Sequence, residues 1–266
     1  MKLYIMTDLE GVAGVVNWDD YGAPGARYYE LAKLLTTQET NAAIEGALAA
    51  GATEILVVDG HGHGAIDPCE LHPAAELYAG RPMGYPFRCD EGFDAAMIVG
   101  QHAKSNTDGG HLSHTGSFVI EELSINGVSV GELGCNMLFC AHFGVPTVMV
   151  GGDLACCEEA RALVPAVETA AVKRGIKRGP ATGLTGEQNK LHNGAAVHLN
   201  PERARALIRT KAELGLRRVR EIPPFLLEPP YELVSVLRRT EQDPQKTARC
   251  QANDLIELLN MPRAYG

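Results

Sequence analysis

The sequence predicts an α/β fold, a mostly parallel sheet core flanked by helices, with a smaller α+β C-terminal lobe. Three observations carry that prediction. In the first half, short apolar runs alternate with longer segments, the pattern of parallel strands and their crossovers. The runs are nearly continuous in Val, Ile, Leu, Ala and Met, as strands covered on both faces must be. After about residue 155 the texture changes to Ala-rich amphipathic stretches and then to the bends Pro223-Pro224 and Pro229-Pro230. The division expected from this is a core over residues 1–155 and a smaller lobe over 156–266.

LYIMT, residues 3–7, is the first strand. Residues 26–50 follow as a long helix, with Leu31, Leu34, Leu35, Ala43, Ile44, Ala47 and Leu48 at helical spacing and Gly51 as the C-terminal glycine. ILVVD at 55–59, AAMIVG at 95–100 and PTVMVG at 146–151 supply further strands. Between the last two, Asn126-Gly127 sits between alternating apolar residues, the composition of a two-residue hairpin turn. Glu132 to Phe143 reads as a helix ending near Gly144. In the second half, 158–173 and 201–214 read as helices and YELVSVLRR as a strand.

Composition excludes several classes of protein. The 266 residues are 45% hydrophobic and 21% charged, ordinary values for a globular chain. Net charge is −9, and no Lys/Arg stripe with interleaved aromatics occurs, so a nucleic-acid partner is not expected. No run approaches the roughly 18 apolar residues of a membrane span, and the N-terminus carries no signal-peptide core. The reading is a soluble, cytoplasmic chain. Seven cysteines without a C-x-x-C pair suggest neither a disulfide framework nor a thiolate zinc site.

Ligands of open α/β sheets gather at the carboxyl ends of the strands, where diverging loops leave a crevice. The residues just past each strand here are Asp8 and Glu10 in TDLEG, then Asp59, His61 and His63 in VVDGHGHG, then His102 in VGQHAK. A single histidine is ordinarily a satisfied core or surface residue. Metal-capable groups at three equivalent strand ends make a shared site the better reading. Carboxylate plus imidazole without thiolate suits a catalytic Zn²⁺, Mn²⁺ or Fe²⁺ centre. Spacing alone leaves His61 and His63 as competing candidates. The polar loop GGHLSHTGS adds His111 and His114, and Glu132 opens a helix, where the dipole favours a carboxylate even without a metal.

Together these pieces resemble a known family, the zinc D-aminopeptidases of bacterial dipeptide-transport operons, the DppA type. The resemblance rests on TDLEG, VVDGHG, VGQHAK, HLSHT and INGVSVGELGCN followed by FGVPTVMVGGD, in that order across residues 7–153. It implies that Asp8 and Glu10 match the acidic pair of the S-x-D-x-E-G signature, that His61, His102 and Glu132 are the other zinc ligands, and that Asp8 bridges two Zn²⁺ ions per subunit. The same resemblance selects His61 over His63 and makes His114 the catalytic histidine. It further implies short peptides with an N-terminal D-amino acid, such as D-Ala-D-Ala, as substrates, and a homo-oligomer, a decamer of stacked pentamer rings. Met6 departs from the signature, standing where the family has serine. The resemblance fades after about residue 180, where EQNKLHNGAAVHLNPERA reads as a helix.

The charges balance: two divalent cations against Asp8, Glu10, Glu132 and one bridging hydroxide give neutrality. Such a centre would acidify the bridging water and polarise a scissile carbonyl, with His114 stabilising the oxyanion or carrying a proton to the leaving amine. Two other readings use the same residues. One is another metal-dependent amidohydrolase or phosphoesterase, which for phosphate would need cations near the motifs, where only Arg88 and Lys104 are close in sequence. The other is a non-catalytic metal-binding assembly protein.

Overall fold

The computed structural model describes residues 1–266. Along the chain the elements are β1 (Lys2–Thr7), α1 (Trp18–Tyr21), α2 (Tyr29–Ala49), β2 (Glu54–Asp59), β3 (Glu76–Tyr78), β4 (Ala95–Gln101), β5 (Ile120–Ile125) and β6 (Val128–Ser129). They continue with α3 (Glu132–His142), β7 (Thr147–Asp153), α4 (Leu154–Leu163), β8 (Glu168–Gly175), α5 (Gly186–His192), β9 (Ala196–His198), α6 (Pro201–Arg217), β10 (Tyr231–Leu237), β11 (Lys246–Ala252) and α7 (Leu255–Asn260). No helix is long and apolar enough to cross a membrane.

Seven strands form the central sheet in the order β3-β2-β1-β4-β7-β8-β9. All neighbours run parallel except β9, which lies antiparallel to β8. Strands β1, β4 and β7 are buried almost end to end, which is why their sequences read as unbroken apolar runs. Helices α2 and α6 pack on each other along one side, and α3 packs with α4. Gly46 makes the first contact possible, because a Cβ there would collide with the Arg209 carbonyl of α6. Chain order reverses between β1 and β4, so the crevice at their carboxyl ends is the topological switch point of the sheet.

A second, antiparallel sheet has the order β11-β10-β5-β6. Its β5–β6 hairpin turns at Asn126 and Gly127, both with positive φ (50° and 77°), the geometry that Asn-Gly favours.

The structure corrects four expectations. The central sheet does not end near residue 155, because β8 and β9 extend it and α6 covers α2; the second sheet likewise draws strands from both halves of the chain. The stretch 158–173 is not one helix: α4 stops at Leu163 and ETAAVKRG becomes β8, with Ala170 buried and Ala171 half-buried. The stretch 187–204 is likewise divided among α5, β9 and the start of α6. Leu31, counted among the apolar residues at helical spacing, is 44% exposed, and the buried face of α2 is formed by Ala32, Thr36, Ala43, Ile44 and Ala47.

Candidate metal centre

Strand β1 delivers Asp8 and Glu10 to the switch point. Asp8 N–H donates to the Val99 carbonyl at 2.9 Å and Gly11 N–H to the Gly100 carbonyl at 2.7 Å, stitching the turn after β1 to the end of β4. Gly100 has φ 75°, and a side chain there would strike the Asp8 carbonyl. The close approach of these two strand ends places His102 beside Asp8.

His61 arrives from the loop after β2. Asp59 shapes that loop by accepting from Ala65 N–H at 2.8 and 3.0 Å and from Ile66 N–H at 3.2 Å, while Tyr29 Oη donates to the His63 carbonyl at 3.0 Å. Asp59 is therefore a builder of the loop, and His63 stands exposed at the cavity mouth. His114 comes from a loop that turns at Leu112, whose φ is 51°. Glu132 opens α3, and its Oε1 accepts from Gly116 N–H at 2.6 Å. Met6 packs in the main core beneath Gly60, so no hydroxyl takes the place of the family serine.

The structure brings Asp8, Glu10, His61, His102, Glu132 and His114 together. His61 Nδ1 lies 3.3 Å from Asp8 Oδ1 and 3.3 Å from Glu10 Oε2. His102 Nε2 lies 3.2 Å from Asp8 Oδ2 and 3.4 Å from Glu132 Oε1. His114 Nε2 is 3.7 Å from both Glu10 Oε1 and Glu132 Oε1. Asp8 thus turns one oxygen to each of two triads, Asp8–Glu10–His61 and Asp8–His102–Glu132, and the ligand-type atoms within each lie within 4.8 Å of one another.

Backbone carbonyls fix which ring nitrogen faces inward. His61 Nε2 bonds the Gly22 carbonyl at 2.9 Å, His102 Nδ1 the Ala103 carbonyl at 2.9 Å, and His114 Nδ1 the Leu112 carbonyl at 2.8 Å. Since carbonyls only accept, those nitrogens carry the protons of neutral imidazole and the opposite nitrogens present lone pairs to the carboxylates. Lone pairs facing carboxylate oxygens repel unless a proton or a cation lies between them. Glu10 Oε2 and His102 Nε2, both buried, have no hydrogen-bond partner. This donor set fits a pair of divalent cations with N and O ligands, each imidazole oriented by an outer hydrogen bond.

Electrostatics agree with a charged, water-poor centre. Burial would raise the Asp8 carboxyl, but the His102 and His61 rings at its two oxygens hold it well below the usual carboxylate range. Where a proton rather than a cation fills these gaps, burial would lower His61 and His102, yet their carboxylate neighbours raise both well above the ordinary imidazole value, so each gap attracts a positive charge. His114 goes the other way: burial and the neighbouring His102 push it down, so it stays neutral.

The cavity above the cluster has a volume of about 480 Å³. Residues not singled out from sequence complete it. Phe118 stacks on His114 at 4.5 Å, His114 stacks on His102 at 3.9 Å, and Trp18 stands edge-on to His114 and Phe118. Gln101 Nε2 donates to Asp8 Oδ2 at 2.7 Å; its place beside His102 in VGQHAK was the only available signal. No Arg or Lys lines the cavity. Lys104 Nζ instead donates to the Ser129 carbonyl, and Arg88 pairs with Glu91.

Fold and site together define a metallohydrolase-type centre at the switch point of a parallel sheet. Residues 1–250 match the model of the peptidase M55 family, described as D-aminopeptidase. A D-aminopeptidase of Bacillus subtilis (strain 168) is 35% identical over 233 residues, spanning 86% of this chain and 78% of the relative. The solved structure of the Zn-dependent D-aminopeptidase DppA from Bacillus subtilis, described as a self-compartmentalizing protease, superposes with a TM-score of 0.83 at 28% identity, covering 97% of this chain and 94% of its own. The chain belongs to the D-aminopeptidase family and is a peptidase.

Proposed function

We propose that this protein is a binuclear zinc aminopeptidase that removes an N-terminal D-amino acid from short peptides such as D-Ala-D-Ala. The observation that carries the reading is the sharing of Asp8 between two triads, each with one imidazole lone pair and one further carboxylate. Asp8, Glu10 and His61 would hold one ion, and Asp8, His102 and Glu132 the other. Bound zinc supplies Lewis acidity, polarising a peptide carbonyl and acidifying water near neutral pH.

The remaining steps belong to side chains. His114 is neutral and turns Nε2 into the cavity, where it can take a proton and return it to the leaving amine. The stacked rings of His102 and Phe118 hold the His114 ring on both faces. Trp18 and Phe118 offer an apolar wall for a substrate side chain and keep water from that side of the site.

The absence of Arg and Lys from the cavity lining favours a peptide over a phosphate ester. A cytoplasmic homo-oligomer, the decamer of stacked pentamers, completes the proposal and agrees with the self-compartmentalizing description of the solved relative. The test is hydrolysis of D-alanyl dipeptides, their L counterparts and p-nitrophenyl phosphate by the zinc-loaded protein. Turnover of the D-peptides alone supports the reading. Turnover of the phosphate ester in preference to every peptide overturns it.

A second arrangement is open to the same atoms, because Glu10, His102 and His114 also converge closely enough to hold an ion. In that case His114→Ala would lose zinc as well as activity.

A further inference from the structure

The segment that joins Glu10 to Trp18 is held in a way that the metal cluster does not require. From Ala13 to Val16, each residue gives one backbone group to a different ionisable side chain. Ala13 N–H donates to Glu39 Oε1 at 2.9 Å, and Gly14 N–H donates to His198 Nδ1 at 3.1 Å. The Val15 carbonyl accepts from Lys173 Nζ at 3.1 Å, and the Val16 carbonyl accepts from His111 Nε2–H at 3.0 Å. Those side chains come from α2, β9, β8 and the loop that carries His114.

Glu39, Lys173 and His111 are buried. Surface loops normally leave such backbone groups to water or to turns of their own, and desolvating a carboxyl, an ammonium and an imidazole costs free energy that a water-satisfied loop never incurs. Burial pushes Glu39 up to about 8, lowers Lys173 to about 8, and takes His111 down to about 2. His111 is therefore a neutral ring whose Nε2–H is a fixed donor. Cohesion of the segment does not demand these bonds, since Val12 and Val15 already pack with Leu9, Tyr29, Ala32 and Ala65. Apolar packing tolerates small slides; four directional hydrogen bonds set a position.

What they position lies at the ends of the segment. Upstream is Glu10, and downstream is Trp18, whose ring centroid lies 6.3 Å from that of His114 and 5.5 Å from that of Phe118. His111 is held in turn, its backbone N–H donating to Asp153 Oδ2 at 2.7 Å, and it lies three residues before His114. The His111–Val16 bond thus joins the loop bearing the aromatic wall directly to the loop bearing the proton-carrying histidine.

We propose that His111 and Lys173 are positioning residues that set the Trp18 wall against His114, and so fix how the first side chain of a substrate is held beside the reacting groups. The inference rests on the proposed peptidase site only for its kinetic readout. Trp18 is the single tryptophan of the chain, so its fluorescence reports the position of the wall whatever the substrate.

His111→Phe keeps a ring but removes the donor, and His111→Gln returns an N–H. The expected result for His111→Phe is a red-shifted Trp18 emission and a KM for D-alanyl dipeptides raised about tenfold, the worth of one lost hydrogen bond, with kcat changed less. Zinc content should be unchanged, His111→Gln should recover most of both signals, and Lys173→Met should shift emission in the same direction. Folded His111→Phe and Lys173→Met proteins with wild-type emission and KM would overturn the proposal. If neither variant folds, hydrogen exchange of the unmodified protein decides. A His111 Nε2–H protected like the amides of β1 supports it, and exchange of that proton at the rate of an open loop contradicts it. A protein without peptidase activity would sink the proposed function while leaving the emission and exchange measurements able to judge this one.

Discussion

Asp59 and Asp153 end β2 and β7, and Asp8 follows β1, so all three stand at the same edge of one sheet, yet their oxygens meet different partners. Asp59 is saturated by the Ala65 and Ile66 amides, and Asp153 by those of Cys156 and His111. Asp8 accepts from the Leu9 amide and Gln101, but each of its oxygens also faces an imidazole whose inward nitrogen is a lone pair. Close by, Glu10 Oε2 is buried without a hydrogen-bond partner. Burial of a carboxylate is therefore not the mark of a ligand. What separates the two sets is that the Asp8 and Glu10 oxygens also face the inward nitrogens of His61 and His102, the arrangement that a shared cation would use.

That contrast can be broken in order of expected effect. Asp8→Ala removes the group shared by both triads, and peptidase activity should fall to background even with zinc in excess, as a continuous assay would show. His114→Ala should lower kcat by about 10²–10⁴, the range of a lost general acid or base, while elemental analysis finds its zinc intact. Gln101→Leu takes away the outer hydrogen bond on Asp8 Oδ2 and should weaken zinc binding about 10–100-fold in a competition titration. Asp59→Ala belongs to the other set: unfolding should show a loss of about 1–3 kcal/mol from amides left without an acceptor, with zinc stoichiometry unchanged.

The smallest effect is a pH slope. Burial, opposed by the Lys104 amide and ammonium, raises Glu159 to about 7. Its folded value lies above its unfolded one, so the stabilisation it contributes is complete below the ordinary carboxyl range and is lost as pH rises through about 7. Glu159→Gln should flatten that part of the stability profile in denaturant titrations at several pH values.

The sequence disclosed strands and site to different depths. β1, β2, β4 and β7 were legible because burial on both faces writes a continuous apolar run, and the Asn126-Gly127 turn because positive φ selects those residues. β3 and β9, three residues each, are too short to leave a pattern, and β8 was hidden by alanines that suit helix and buried strand alike. Residues adjacent to strand ends could be collected as candidates, but Asp59 and His63 entered with Asp8 and His61, since spacing does not report where a side chain finds its partner. Trp18, Phe118 and Lys173 stayed invisible for a related reason: their roles come from contacts between distant parts of the chain, which no local pattern records.

The central claim is that two cations share Asp8. X-ray absorption on the zinc-loaded, unmodified protein, paired with a count of zinc per chain, tests it most directly. Two zinc ions per chain with a metal–metal separation of about 3.5–4 Å is the predicted result. A single zinc per chain, or two without metal–metal scattering at that distance, would contradict it.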